Sequence, residues 1–157
     1  MTKQGFLKKL YKDNTLQLVA PNNEVKEAYL KKSVSYLTSA RLLQDNERFE
    51  ESVSLTYYSM YYSVLALFFA TGIKCENHTV SILLLNDIFG IDNSAIESAK
   101  SERIDKQYYI ETTPVRSEVA ALIKSAETFN AGLLDLIARL TNEKIESARK
   151  KLMKVLG

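Results

Sequence analysis

The pattern of apolar and polar positions changes character once along the chain. From Tyr57 to Ala70 it is apolar on nearly every side: Tyr58, Tyr61, Tyr62, Leu65, Phe68 and Phe69 form one helical stripe, and Tyr57, Met60, Val64 and Leu67 form a second beside it. A helix that is apolar nearly all round is buried. This stretch, closed by Thr71-Gly72-Ile73, therefore predicts the central helix. Between its stripes run Ser52, Thr56, Ser59, Ser63, Ala66 and Ala70, spaced four, three, four, three and four. Such a ridge of small residues lets a neighbouring backbone approach closely.

The flanking segments read as further helices. Residues 2–13 carry Phe6, Leu7 and Leu10 among lysines, a short amphipathic helix, and Leu16, Leu18 and Val19 read as an irregular strap before Pro21. Asn22 or Asn23 caps a long helix to about Asn46, with Tyr29, Ser33, Tyr36, Ala40 and Leu43 on one row and Leu30, Val34, Leu37 and Arg41 on the next. The short corner at Asn46-Glu47-Arg48 implies an αα-hairpin into the central helix. Gly72 stops that helix, residues 73–78 read as a loop, and Asn77 caps a helix from Thr79 to Phe89. Asp92-Asn93-Ser94 starts another through about Glu111; its buriable residues are Ala95, Ile96, Ala99, Ile104, Tyr108 and Tyr109, so it is expected to be the most exposed and mobile of the set. Pro114 suits a first helical position. A seam follows through Val115, Val119, Leu122, Ala126, Phe129, Leu133, Leu136 and Leu140. Thr141 or Asn142 caps a final helix with Ile145, Leu152, Val155 and Leu156 inside and Arg149, Lys150, Lys151 and Lys154 outside.

These elements predict an all-α chain, an up-and-down bundle of four to five main helices with a short N-terminal helix and a C-terminal helix. Two prolines and five glycines in 157 residues agree with that, and one domain suffices for the length. A net charge of +2 is too small for a general nucleic-acid coat, so phosphate binding has to come from local clusters. A single cysteine, Cys75, excludes an internal disulfide and suits a reducing compartment. Lysines interrupt any signal-like start, and the run from Val64 to Ala70 is far shorter than the ~20 residues of a membrane span. A soluble, cytoplasmic protein without membrane attachment is expected. The apolar faces of the central helix and the seam exceed what one small bundle covers, which predicts a homodimer.

Four tyrosines in six positions, Tyr57 to Tyr62, either pack the core with their hydroxyls reaching water or line a site. His78, the sole histidine, is the one side chain that ordinarily titrates near neutrality. Its plain reading is a helix-capping or solvated residue, and its functional reading is acid–base or ligand-binding work in a cleft. Cys75 has no second Cys or His near it to build a zinc site, and no Glu-x-x-His pair supports a di-iron site, so no metal or cofactor is implied. Phosphate loops and nucleophile elbows are absent as well. Arg103, Lys106 and Tyr109 fall within one to two helical turns, where a guanidinium and an ammonium hold phosphate and a ring stacks. The alternative is a solvated face paired to Glu102 and Asp105.

The order of these features, Tyr57-Tyr58-Ser59-Met60-Tyr61-Tyr62 into Ala66-Leu67-Phe68, then residues 72–78, then Arg103 to Tyr109, resembles the HEPN domain family from about residue 24 to about 140. The resemblance implies one domain over residues 1–157, with 1–21 and 141–157 as peripheral extensions, and a bundle that tends to dimerise. Such domains are often encoded beside nucleotidyltransferases, and many are metal-independent RNases or toxins whose signature is an Arg followed four to six residues later by a His. Here the histidine position after Arg103 falls at Tyr108, with Tyr109 next to it, and a tyrosine that ordinarily titrates near 10 is a poor base at neutral pH. No catalytic residue is therefore carried over. The resemblance implies a binding or regulatory module for RNA or nucleotides, with a partner nucleotidyltransferase, whose candidate binding residues are Arg103, Lys106, Tyr108, Tyr109, Lys74 and His78. The alternatives are a divergent RNase or toxin using Arg103 with His78, and a structural interaction protein with no nucleic-acid role.

Overall fold

A computed structural model describes the backbone of residues 1–108 and 113–157 and the side chains of residues 1–104 and 113–157. The described residues form seven helices and one small sheet, in the order α1 (Lys3–Lys12), β1 (Leu16–Leu18), α2 (Asn23–Asp45), α3 (Phe49–Thr71), β2 (Ile73–Cys75), α4 (His78–Phe89), α5 (Ser94–Tyr108), α6 (Arg116–Ala138) and α7 (Asn142–Leu156). The bundle is all-α in class. Side chains start four of the helices by accepting a backbone N–H three residues on: Thr2 from Gly5 at 3.0 Å, Asn22 from Val25 at 3.0 Å, Asn77 from Val80 at 2.9 Å and Thr141 from Lys144 at 3.2 Å.

Helix α3 is the axis on which the others pack, with α2 making the most extensive contact and α6 and α5 following. Tyr57, Met60, Val64, Leu67 and Phe68 are fully buried, and so is the ridge from Ser52 to Ala70. The ridge is a contact with α2. The Ser33 hydroxyl donates to the Ser59 carbonyl at 2.8 Å and the Ser59 hydroxyl donates to the Ser33 carbonyl at 2.7 Å, a reciprocal pair that requires the two backbones to lie close together. Ser63 donates to Asn130 Oδ1 at 2.9 Å, Asn130 Nδ2 donates to Ser59 Oγ at 3.0 Å, and Ser52 donates to the Ala40 carbonyl at 2.7 Å. Each hydroxyl buried between α2, α3 and α6 thus has a protein partner, as burial demands. By length and composition α3 is apolar enough to cross a membrane, and 67% of its most apolar window is buried inside the bundle.

Several expectations change. Residues 73–75 are not loop: Ile73, Lys74 and Cys75 pair antiparallel with Leu18, Gln17 and Leu16, because the strap and the segment after Gly72 each leave unpaired backbone groups beside the other. Helix α6 begins at Arg116, so Pro114 precedes the first turn, and Val115 is 51% exposed. Ile123 and Ile137 are buried in the seam with Val119, Ala126, Phe129 and Leu133, while Leu122 and Leu136 lie at its half-buried margin. In α2, Val34 faces outward, 67% exposed. In α7 the buried residues are Ala148, Leu152 and Leu156, with Ile145 and Val155 half-buried. Phe6 is 39% exposed beside buried Leu7 and Leu10. Helix α5, expected to be loosely held, buries Ile96 and Ala99 completely and packs more widely on α3 than α4 does.

Arg149 was expected on the outer face and lies inward instead. Its Nη1 donates to the carbonyls of Val19 (2.7 Å), Gly72 (3.0 Å) and Thr71 (3.2 Å), a cation on the negative end of the α3 dipole. Gly72 is required at this junction on two grounds. Its φ is +75°, and a Cβ there would lie 2.2 Å from Arg149 Nη1 and 2.3 Å from the Val19 carbonyl.

Candidate functional site

Three elements bring polar chemistry together on the side of α3 away from the serine ridge. Tyr57, Tyr58 and Tyr61 leave α3 on adjacent stripes. The pairing of β2 with β1 and the Asn77 cap then set His78 as the first residue of α4, facing them. The imidazole stacks on the Tyr61 ring with centroids 3.8 Å apart and planes at 16°, and the Tyr58 ring meets it edge-on at 6.4 Å. Tyr57 Oη lies 2.9 Å from His78 Nδ1.

Arg103 arrives from α5. Its Nη1 donates to Tyr58 Oη at 3.2 Å, and its guanidinium carbon lies 5.1 Å from the Tyr57 ring centroid and 5.4 Å from that of Tyr58, within cation–π range. One turn earlier on α5, Lys100 Nζ donates to Thr79 Oγ1 at 2.6 Å, beside His78. Two cations from α5, one imidazole from α4 and three phenols from α3 thus share one patch.

Burial first, and then the charges of Arg103 and Lys100, hold the His78 pKa below the ordinary histidine value, so the ring is neutral at pH 7. Burial pushes the Tyr61 phenol up to about 12 and the Tyr57 phenol well above its ordinary value, so both keep their protons. Tyr57 is fully buried, and His78 Nδ1 is the hydrogen-bond acceptor in its reach among the described residues. In the tautomer with a lone pair on Nδ1, the Tyr57 hydroxyl donates to it. That tautomer carries the imidazole proton on Nε2, where it is a donor.

The candidates from the sequence divide. Arg103 and His78, 25 positions apart, are brought together. Lys74 is not: it stands on β2, where Glu76 pairs with it at 3.1 Å. Lys106, Tyr108 and Tyr109 lie outside the residues whose side chains are described. Cys75 is buried, its thiol pKa raised by burial, and it donates to the Asn77 carbonyl at 3.5 Å, a structural thiol. Among the described residues no group of three or more His, Cys, Asp or Glu side chains is placed to hold a metal ion. Sequence reasoning did not name Lys100 or the pairing of Tyr57 with His78. The first was within reach, since Lys100 precedes Arg103 by three residues and shares its helix face. The second depends on how β2 turns the chain back, which no local pattern encodes.

A wide depression of about 640 Å³ runs along α7, lined by Asn142, Glu143, Glu146, Ser147, Lys150, Lys151 and Lys154. One helix forms it, without an aromatic ring and with both signs of charge, which is the character of a solvated exterior. The Arg103 and His78 patch is the better site on chemical grounds.

A model of the HEPN domain matches residues 26–131, more than half of the chain. No curated protein matches it.

Proposed function

The chain belongs to the HEPN domain family, and on that premise we propose that it binds RNA or a nucleotide through a phosphate held at the Arg103 and His78 face. The observation that carries this reading is the convergence of Arg103 and His78 on the same tyrosines. A guanidinium offers phosphate a planar fork of donors, the His78 Nε2–H adds a neutral one, and Lys100 strengthens the local positive field. The hydrogen bond from Tyr57 favours binding over catalysis. A general base at this position needs its lone pair on Nε2, and the tautomer that accepts from Tyr57 carries its proton there.

A second reading, a divergent RNase in which Arg103 holds the scissile phosphate and His78 moves protons, is favoured by the same convergence. Titration of uridine monophosphate and a short single-stranded RNA at low salt separates the two. Wild type is expected to bind and to leave mixed RNA intact. Arg103→Ala should weaken binding by roughly tenfold or more, the worth of a charge-assisted hydrogen bond. A Lys150→Ala, Lys151→Ala double variant should bind as wild type does. Absence of binding by wild type overturns the assignment, and cleavage lost in both Arg103→Ala and His78→Ala establishes the RNase.

We infer in addition that a second copy packs on the α2 and α6 side. There Val34, Leu42 and Leu134 are exposed at 67%, 59% and 52%, and Leu30, Leu37 and Ala131 line a groove of about 270 Å³. Light scattering should find a dimer at roughly tens of micromolar, and a monomer there overturns this part of the reading.

A further inference from the structure

The patch around Arg103 does not end at Tyr58. Four half-buried rings continue from it in a near-parallel file: Tyr58 to Tyr62 at 6.4 Å and 30°, Tyr62 to Tyr29 at 5.8 Å and 18°, Tyr29 to Phe69 at 5.6 Å and 21°. Tyr36 meets the Tyr62 ring edge-on at 4.9 Å. Helix spacing builds the file. Tyr58, Tyr62 and Phe69 share one side of α3, while Tyr29, Lys32 and Tyr36 recur on the facing side of α2. Two cations are seated on these rings. Arg103 lies against Tyr58, and the exposed Lys32 places Nζ 4.8 Å from the Tyr62 centroid and 6.0 Å from that of Tyr36.

Rings packed only to fill space do not need this composition. Leucine fills such a seam without bringing a hydroxyl to the surface, and the exposed aliphatic residues Val34, Leu42 and Leu134 stand apart from the file; Val34 and Leu134 line the groove between α2 and α6. Half-exposed rings with interleaved cations are instead the surface on which single-stranded nucleic acid lies, because every base has a face that stacks and every nucleotide brings a phosphate. The field of Glu97 reaches Tyr57 at the Arg103 end, and Glu27 pairs with Lys26 on α2.

We propose that the rings of Tyr58, Tyr62, Tyr29 and Tyr36, with Arg103 against Tyr58 and Lys32 beside Tyr62 and Tyr36, form a stacking track for single-stranded RNA. The ligand of the Arg103 and His78 face is then a strand of several nucleotides and not a lone nucleotide. This rests on the phosphate-binding reading given above. It adds that affinity grows with length as bases reach the rings, and that Lys32 takes a phosphate beyond the one held by Arg103.

The test compares uridine monophosphate with a labelled oligouridylate of about ten nucleotides, a length within known single-strand site sizes, by fluorescence anisotropy at low salt. Wild type should bind the oligonucleotide more tightly than the monophosphate. Lys32→Glu and Tyr62→Leu should each weaken the oligonucleotide roughly five- to tenfold or more, as expected for one lost stack or phosphate contact, and leave the monophosphate unchanged. Tyr62→Phe, which keeps the ring, should retain wild-type affinity, and circular dichroism verifies that each variant is folded. Wild-type oligonucleotide affinity in both Lys32→Glu and Tyr62→Leu overturns the track while leaving the phosphate site standing. Failure of wild type to bind even the monophosphate overturns the phosphate site and the track with it. If Lys32→Glu instead turns a dimer into a monomer without changing RNA affinity, the file is an interface between copies and the proposal is wrong.

Discussion

The two sides of α3 carry comparable numbers of hydroxyls and use them in opposite ways. On the ridge side, Ser52, Ser59 and Ser63 close on Ala40, Ser33 and Asn130, and every bond begins and ends within the protein. On the tyrosine side, the phenols meet groups brought from other helices, the imidazole of His78 and the guanidinium of Arg103. A polar network made of hydroxyls and amides alone fixes the register of helices, whereas one that gathers an imidazole and a guanidinium at half-buried positions brings charge and a titratable ring to one place. The lesson is to ask which groups a polar chain gathers before asking how deeply it is buried.

That contrast is most severely tested on the ridge. Ser63→Leu should overpack the contact between α2, α3 and α6 and strand Asn130, costing ~1–3 kcal/mol. The expected drop is several degrees in thermal midpoint, and an unchanged midpoint means that the helices are not in close contact there. On the other side, Tyr57→Phe should hardly move the midpoint. It should release the His78 tautomer and raise its pKa, visible in the NMR titration of the ring protons, and an unaltered titration removes Tyr57 from the argument.

The pH dependence of stability is a gentler probe of the same difference. The folded pKa of His78 is lowered, so the unfolded chain binds its proton first as pH falls. Stability is complete above about pH 6.5, the unfolded value, and declines as pH falls from there toward the folded pKa. The lowered carboxyls of Asp13, Glu51 and Asp92 act only at lower pH, below about pH 4.5. As the chain has one histidine, a melting midpoint that falls between about pH 7 and about pH 5 in wild type and stays level in His78→Gln assigns the effect to this ring. The same slope in both proteins refutes it. The smallest effect is expected at α7, where Lys150→Ala with Lys151→Ala should change the stability by less than about 0.5 kcal/mol, read from thermal melting.

How much of this was legible in the sequence depended on the range of the interaction. The central helix, the small ridge and the caps at Asn22, Asn77 and Thr141 are local patterns, and the structure reproduces them. Seam membership drifted for a geometric reason. A period of 3.6 does not hold a four-three count over 23 residues, so Ile123 and Ile137 rotate into the core, while Val115 is exposed because it precedes the helix as its extended cap. The strand pair, the inward turn of Arg149 and the meeting of His78 with Arg103 join segments far apart in the chain, where nothing in the spacing of residues reveals the neighbour. Arg103 and His78 were each named as candidates for their chemistry. Their proximity is a product of the fold.

The Arg149 clamp also sets an order of events in time. Its carbonyl acceptors on Thr71 and Gly72 are separated from it by 78 and 77 residues of chain. At ordinary synthesis rates of about 5–20 residues per second, the C-terminal end of α3 waits roughly 4–15 s for the side chain that neutralises it. Until α7 has been made, the carbonyls of Val19 and Thr71 lack this guanidinium, while the Gly72 carbonyl already accepts the Val19 N–H at 2.8 Å. In that interval the corner rests on the β1 and β2 pairing and the apolar contacts of Leu16 and Ile73, without the cation that completes it.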